Sequence, residues 1–363
     1  MTRVLAVDAE RPDPDVIAEA ASVITRGGLV AFPTETVYGL GANALDPAAV
    51  ARVFEAKGRP ATDPLIVHLA HIGQLARVAR DIPPVARTLG LSFWAGPLTL
   101  ILQKQPAIPD AVTAGRSTVA VRVPAHRVAR ALMEACGVPV AAPSANRFSR
   151  PSPTRAAHVL TDLEGAVDLL LDGGPATIGV ESTIVDCTRT PPVLLRPGGI
   201  TSEQLVTLLP DLIVESRLAA ADEPQVAPGQ LLRHYAPEAP LTVFVGAAGA
   251  VQARMGADAR TRVAQGQRVG ILAPEEDVLA LAPILAAAAA GGRVLLRAYG
   301  RRSDPDAAAQ ALFDALRALD AERPDVILAA DVGQAAIGAA IRDRLMRAAE
   351  GRVIGVPEVP RGA

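Results

Sequence analysis

The stretch that decides the fold is Leu29-Val30-Ala31-Phe32-Pro33-Thr34-Glu35-Thr36-Val37-Tyr38-Gly39-Leu40-Gly41. Four apolar residues, Leu29 to Phe32, read as a buried strand that stops at Pro33. The residues behind it carry two hydroxyls and a carboxylate. Side chains placed just after a buried strand can converge on a cleft; a polar hairpin with glycines for turn geometry gives the same string. Upstream, Val16 to Arg26 has helical spacing and stops at Gly27-Gly28. Downstream, Pro47 to Ala56 reads as a helix with Asp46 as N-cap and Pro47 at its first position.

The same rhythm runs on. Leu65 to Leu69, Leu98 to Leu102, Val119 to Val123, Val138 to Ala142, Leu169 to Leu171 and Thr183 to Asp186 read as strands. Helices are expected at Pro84 to Leu91, Arg127 to Ala135 and Pro153 to Leu160. Some strands lie too close together for helical crossovers, so the sheet should be mixed. A helix at Ile200 to Leu209, with Ser202 as N-cap, and a strand at Leu212 to Glu215 close this part. Residues 220–240 hold four prolines with little periodicity and read as a linker. Strands at Leu241 to Val245, Val269 to Leu272, Val294 to Ala298 and Val326 to Ala329 then alternate with helices, the last at Ala335 to Ala349. That pattern describes a small doubly wound parallel sheet.

Composition bounds the function. In 363 residues, 36 Lys+Arg face 38 Asp+Glu, so the net charge of -2 points to neither nucleic acid nor an anionic membrane. Half the residues are hydrophobic but only 3% aromatic, so the core must be aliphatic. Two distant cysteines, Cys136 and Cys187, give neither a disulfide framework nor a zinc site, which suits the cytoplasm. The apolar run near Ala280 to Ala290 is interrupted by Pro283 and too short to span a bilayer. Lysine occurs only at positions 57 and 104, and asparagine only at 43 and 146.

Walker A, GxGxxG, HExxH and G-x-S-x-G patterns are all absent, which argues against the commonest nucleotide cradles and against zinc or serine hydrolysis. What remains is a set of polar islands beside strands. Lys57-Gly58-Arg59 ends a helix, where cations suit the dipole, yet an ammonium and a guanidinium so spaced can also hold a polyphosphate. His68 follows on a strand. Gly115 to Arg155 holds seven arginines against one acid, Glu134; this excess calls for an anionic partner or for acids elsewhere in the fold. Within it, Arg122 interrupts an apolar strand and needs a partner such as a carboxylate. Ser144 and Asn146 follow another strand, and Ser152-Pro153-Thr154 should open a helix with hydroxyls at the cap. Glu181-Ser182 precedes a strand, and Arg196 ends one.

Seven strings, PTETVYGLG, KGRP with PLIVHL, FW-x-GPLT-x-IL, SAN followed by PSPT, GVESTIVD, LLRPG, and APG…RHYAP, fall in one order. In that order they resemble the threonylcarbamoyl-AMP synthase family, the YrdC-like fold, in its long two-domain form. The resemblance implies an α/β architecture. A YrdC-like catalytic domain over residues 1–217 would have a twisted mixed sheet and a concave basic face. Residues 218–240 would form a linker or lid, and residues 241–363 a Rossmann-like domain. It implies that ATP, L-threonine and bicarbonate or CO2 give threonylcarbamoyl-AMP and pyrophosphate, for modification of the tRNA adenosine next to the anticodon. Lys57 and Arg59 would be catalytic and, with Asp63, Thr118, Ser144, Asn146, Ser152, Arg196 and Tyr235, would bind ATP. Thr34, Thr36, His68, Arg122 and Ser182 would bind threonine. Mg2+ would come with ATP rather than in a protein cage. A tRNA or double-stranded RNA contact through the basic face and a hand-off to the threonylcarbamoyl transferase complete the expectation, with no membrane partner. Two positions depart from the family: Asp63, where Asn is common, and Gln230-Leu231-Leu232, where Met-Lys-Tyr is usual. A non-catalytic RNA-binding module is the rival from another class, weakened by ten scattered aromatics. A carbamoyl-phosphate hydrolase of related fold would need Cys-rich zinc segments.

Overall fold

A computed structural model describes residues 1–215, 225–229 and 233–357. The chain divides into two compact units, Met1–Phe148 with Ser152–Leu231, and Ser149–Pro151 with Leu232–Ala363. Gln230, Leu231 and Leu232 lie outside the described residues.

Local chemistry sets the helices of the first unit. Asp13 caps Pro14–Thr25 through the Asp15 amide, and Asp46 caps Pro47–Lys57 through the Ala48 amide. The second helix ends on Gly58, whose φ of 62° is the left-handed conformation that glycine adopts without a Cβ clash. These helices cover a mixed sheet of 12 strands. Its order is Arg3–Ala6, Leu169–Asp172, Val30–Phe32, Gly39–Asn43, Val140–Ala141, Ile66–His68, Thr118–Arg122, Leu98–Lys104, Thr183–Asp186, Val193–Arg196 and Ile213–Val214. The short Ala79–Arg80 strand pairs on Leu98–Lys104. Strand Gly39–Asn43 was not expected from sequence; it runs antiparallel to Val30–Phe32 with Phe32 opposite Gly39, so Pro33 to Tyr38 form the connecting loop.

Period-two alternation sorts the two faces. Val67, Val119, Val121, Leu98, Leu100, Leu102 and Val185 join Val50, Val53 and Leu89 from the helices in the main core. The alternate residues Ile66, Ala120, Ile101 and Ile184 form a smaller cluster with Ala227. One register line carries polar groups across that second face: His68 lies opposite Arg122, Arg122 opposite Thr99, and Thr99 opposite Ile184.

Two expected helix starts are corrected. The helix expected from Pro153 runs over Ala156–Leu163, and Arg155 caps it without a side-chain bond. Prolines 151 and 153 favour extended backbone, and the Tyr38 amide takes the Pro153 carbonyl, so Ser152 to Arg155 run as a strap. Helix Ser202–Leu208 is capped by Thr201, which exchanges bonds with Gln204 in a capping box; Ser202 is already helical.

The second unit holds five parallel strands in the order Val294–Ala298, Val269–Ala273, Val326–Ala330, Leu241–Gly246 and Val353–Val356. Pro283 sits inside helix Glu275–Ala290 rather than breaking the run. Its missing N–H would have bonded the carbonyl of Leu279, an exposed residue where water can substitute. No helix among the described residues is long and apolar enough to cross a membrane.

Candidate active site

Strand ends and loops bring the sequence-derived residues into two adjoining groups in the first unit. The first group is built on the end of helix Pro47–Lys57. Lys57 is buried, and its Nζ donates to the carbonyls of Ser144 and Asn146, each at 2.5 Å. Asn146 itself donates from Nδ2 to the Arg147 carbonyl at 2.7 Å. Arg59 donates to the carbonyls of Asp63 (3.1 Å) and Pro64 (2.7 Å) and pairs with the Asp63 carboxylate at 3.0 Å. Asp63 is fully buried. Burial pushes its carboxyl pKa up, against the opposing pull of Arg59, Lys57 and Arg196. The Gly229 amide also faces this carboxylate, but neither oxygen accepts a well-formed hydrogen bond among the described residues.

The second group lies on the polar register line. Arg122 is buried and its guanidinium is spread over three acceptors: Glu35 Oε1 at 2.7 Å, Thr36 Oγ1 at 2.9 Å and the Gly96 carbonyl at 3.3 Å. The carboxylate that a strand arginine demanded is therefore Glu35. Thr34 shares a 2.8 Å hydroxyl–hydroxyl bond with Thr36. His68 stands beside Arg122, with Nδ1 3.2 Å from the Ile66 carbonyl; burial and then the Arg122 charge lower its pKa to about 3, so it is neutral at physiological pH. Ser182 Oγ lies 2.7 Å from Thr99 Oγ1. Arg196 is buried rather than a surface turn residue, donating to the Ser182 carbonyl (2.9 Å), Ser182 Oγ (3.1 Å) and the Pro228 carbonyl (3.1 Å). Ser152, on the proline strap, donates to buried Glu181.

Glycine makes this convergence possible at one point. A Cβ on Gly198 would lie 2.4 Å from Glu181 O, Ser182 C and Thr183 N, so only glycine lets the turn after Arg196 pass over that segment. Loop 33–38 is tied down on the other side by Ile178 N to Glu35 O (2.7 Å) and Gly179 N to Thr36 O (3.1 Å). Thr118 is half-buried, paired opposite Gln103 on the strand that carries Arg122. Tyr235 lies in the second unit, buried, with its ring 5.4 Å from that of Phe313 and 5.3 Å from the Arg344 guanidinium carbon.

Three of the seven arginines in the arginine-rich stretch meet acids brought in by the fold. Arg122 meets Glu35, Arg127 meets Glu10, and Arg150, in the second unit, meets Asp320 and Glu238. Acids distant in sequence supply much of the compensation. Sequence reasoning placed Glu35 and Glu181 in polar islands and Thr99 in the GPLT string but gave none of the three a role. The signal for Glu35 was available, since Arg122 needed an acid.

The comparisons with known proteins fit this geometry. A family model described as Telomere recombination matches residues 22–198, and one described as Threonylcarbamoyl-AMP synthase, C-terminal domain, matches residues 200–350. The threonylcarbamoyl-AMP synthase of Bacillus subtilis is 45% identical over 343 residues, spanning 94% of this chain and 95% of that protein. The Pyrococcus abyssi protein of the same name is 42% identical over 348 residues, with 96% and 98% covered. The crystal structure of P. abyssi Sua5 complexed with L-threonine superposes with a TM-score of 0.90 at 41% identity, covering 98% of this chain and all of that one. Fold and relatives together define an enzyme of the nucleotidyl-transferring kind, built on a large mixed sheet with a separate parallel-sheet domain. The chain belongs to the threonylcarbamoyl-AMP synthase family.

Proposed function

We propose that this chain condenses L-threonine with bicarbonate or CO2 and transfers the adenylyl group of ATP to the resulting carbamate, giving threonylcarbamoyl-AMP and pyrophosphate. The observation that carries this reading is the register line His68–Arg122–Thr99, flanked by Ser182 and Arg196 and adjoining the Lys57–Arg59 pair. Arg122 binds the amino-acid carboxylate, while Thr34, Thr36, neutral His68 and Ser182 offer short polar contacts to the rest of threonine. Lys57 and Arg59, with Asp63, Thr118, Ser144, Asn146, Ser152 and Arg196, hold the nucleotide. Displacement at the α-phosphorus needs little covalent help; positioned cations that stabilise the in-line arrangement and the leaving pyrophosphate are sufficient.

Mg2+ would accompany ATP and would supply charge neutralisation at the phosphates. The buried acids nearby are engaged elsewhere: Glu35 with Arg122, Asp63 with Arg59 and Glu181 with Ser152. That donor set suits an ion carried by phosphate oxygens better than one caged by protein. We assign catalysis to residues 1–217 and place the enzyme in the cytoplasm, where its two free buried cysteines stay reduced. The product would serve tRNA modification through a hand-off to the threonylcarbamoyl transferase, with tRNA or double-stranded RNA as a further contact. The test is pyrophosphate release from ATP, expected only when threonine and bicarbonate are both present; turnover that survives omission of threonine would refute the proposal.

A further inference from the structure

Glu35 is a buried acid to which the substrate roles above assign nothing. It sits between Thr34 and Thr36 in the loop joining strands Val30–Phe32 and Gly39–Asn43, and only 6% of it is exposed. Its Oε1 accepts from Arg122 at 2.7 Å. The Ala125 and Glu35 amides face the carboxylate, but its buried Oε2 accepts no well-formed hydrogen bond among the described residues. Burial pushes the carboxyl pKa up, but Arg122 and the Ala125 amide more than offset this, so Glu35 is ionised at neutral pH. An ionised carboxylate only accepts, and leaving a buried acceptor without a donor costs about 1–3 kcal/mol. Such an oxygen, facing amides it meets poorly and lying beside a substrate-binding arginine, is open to a better-aligned donor that a ligand can bring.

The neighbouring charge says which donor. Arg122 and Glu35 form a buried pair of zero net charge. An α-amino acid carries its carboxylate and its ammonium on one carbon, so it can offer an anion to the arginine and a three-donor cation to the glutamate together. We propose that Glu35 Oε2 receives the α-ammonium of the amino-acid substrate while Arg122 holds its carboxylate, so that the pair selects a zwitterion. This assignment rests on the threonine site proposed above. A zwitterion leaves the local charge unchanged. The same skeleton without its amino group is a monoanion, and it would press a second carboxylate against Glu35 with no cation added. The two nearest imidazoles do not relieve that excess. His68 is neutral, and burial lowers the pKa of His126 as well.

Calorimetric binding of L-threonine and of 3-hydroxybutanoate, its deamino analogue, to the wild type and to Glu35→Gln tests the assignment. The wild type should bind threonine at least about tenfold more tightly than the analogue, in line with a charge-assisted contact. Glu35→Gln should lose about tenfold or more in threonine affinity while binding the analogue equally well or better, which collapses the discrimination. Equal weakening of both ligands in the variant would reduce Glu35 to a prop for Arg122 and overturn the proposal. Equal binding of both ligands by the wild type would overturn it without any variant, so the test survives if Glu35→Gln fails to fold. A wild type that binds no threonine would overturn the proposed function itself, and this assignment with it.

Discussion

Arg59 and Asp63, four residues apart, form an ion pair of 3.0 Å in which both side chains are buried, yet neither oxygen of Asp63 accepts a hydrogen bond among the described residues. The pair holds Arg59 in place at the expense of a poorly solvated carboxylate. Burial raises the Asp63 pKa above its ordinary 3.8 in the folded protein. The folded state therefore favours the protonated form, and the associated stability is present at acid pH and lost as pH rises from that ordinary value. Thermal melts of the wild type and Asp63→Asn from about pH 4 upward should show the wild type losing ground to the variant as pH increases. A difference that is flat, or that grows with pH, would mean that Arg59, Lys57 and Arg196 keep the carboxylate ionised.

Lys57→Ala should abolish pyrophosphate release while the protein remains folded. The ammonium ties the end of helix Pro47–Lys57 to the carbonyls of Ser144 and Asn146, so the variant should also lose about 1–3 kcal/mol of stability. Lys57→Arg should fail to restore turnover, because a planar guanidinium does not fit where a compact ammonium meets two carbonyls at 2.5 Å. Normal turnover in either variant, read against a circular-dichroism control, would remove Lys57 from the mechanism.

His68 sets an acid limit on stability. Its pKa falls from an ordinary 6.5 to about 3 on folding, so its contribution is intact above the ordinary value and is lost as pH falls toward the folded one. A tenfold drop in proton affinity corresponds to about 1.4 kcal/mol, so His68→Gln should flatten the acid side of the denaturation profile by a few kcal/mol. In the range of about pH 6 to 8, activity should show no ionisation attributable to His68. An inflection near 6.5 that disappears in the variant would contradict this.

Gly198→Ala tests the convergence of the turn on residues 181–183. The added methyl would meet three backbone atoms at 2.4 Å, and backbone cannot rotate aside as a side chain can. Destabilisation of about 1–3 kcal/mol is expected, with a rise in threonine KM through displacement of Ser182. A variant with wild-type melting and wild-type KM would show that the turn has room to spare.

Much of this was legible in the sequence because strands and their caps are local events. Thr183–Asp186 and Val294–Ala298 fall where the apolar runs placed them, and Asp46 caps the helix its spacing announced. The strand Gly39–Asn43 was hidden because its Gly-Leu-Gly-Ala-Asn composition carries little β propensity; pairing with Val30–Phe32 decides it. The start of the helix after Pro153 was hidden because the competing partner, the Tyr38 amide, lies over a hundred residues away. Rarity was an uneven guide. Lys57 and Asn146 meet at the site, whereas Lys104 pairs with Asp110 and Asn43 bonds the Leu45 amide in a turn. Three of the seven clustered arginines, Arg122, Arg127 and Arg150, pair with acids far away in sequence. The partners of these three, Glu35, Glu10 and Asp320, are brought in by the fold, which no count along the chain can show.

The polar line across Ile66–His68, Thr118–Arg122 and Leu98–Lys104 makes these strands intolerant of length change. Because side chains alternate with period two, gaining or losing one residue in any of them would turn its polar member into the aliphatic core and its valine or leucine neighbours outward. Arg122 would then face hydrocarbon without Glu35. Substrate preference in this scaffold can therefore drift by exchanging residues at fixed positions, whereas insertions and deletions are confined to the loops between strands.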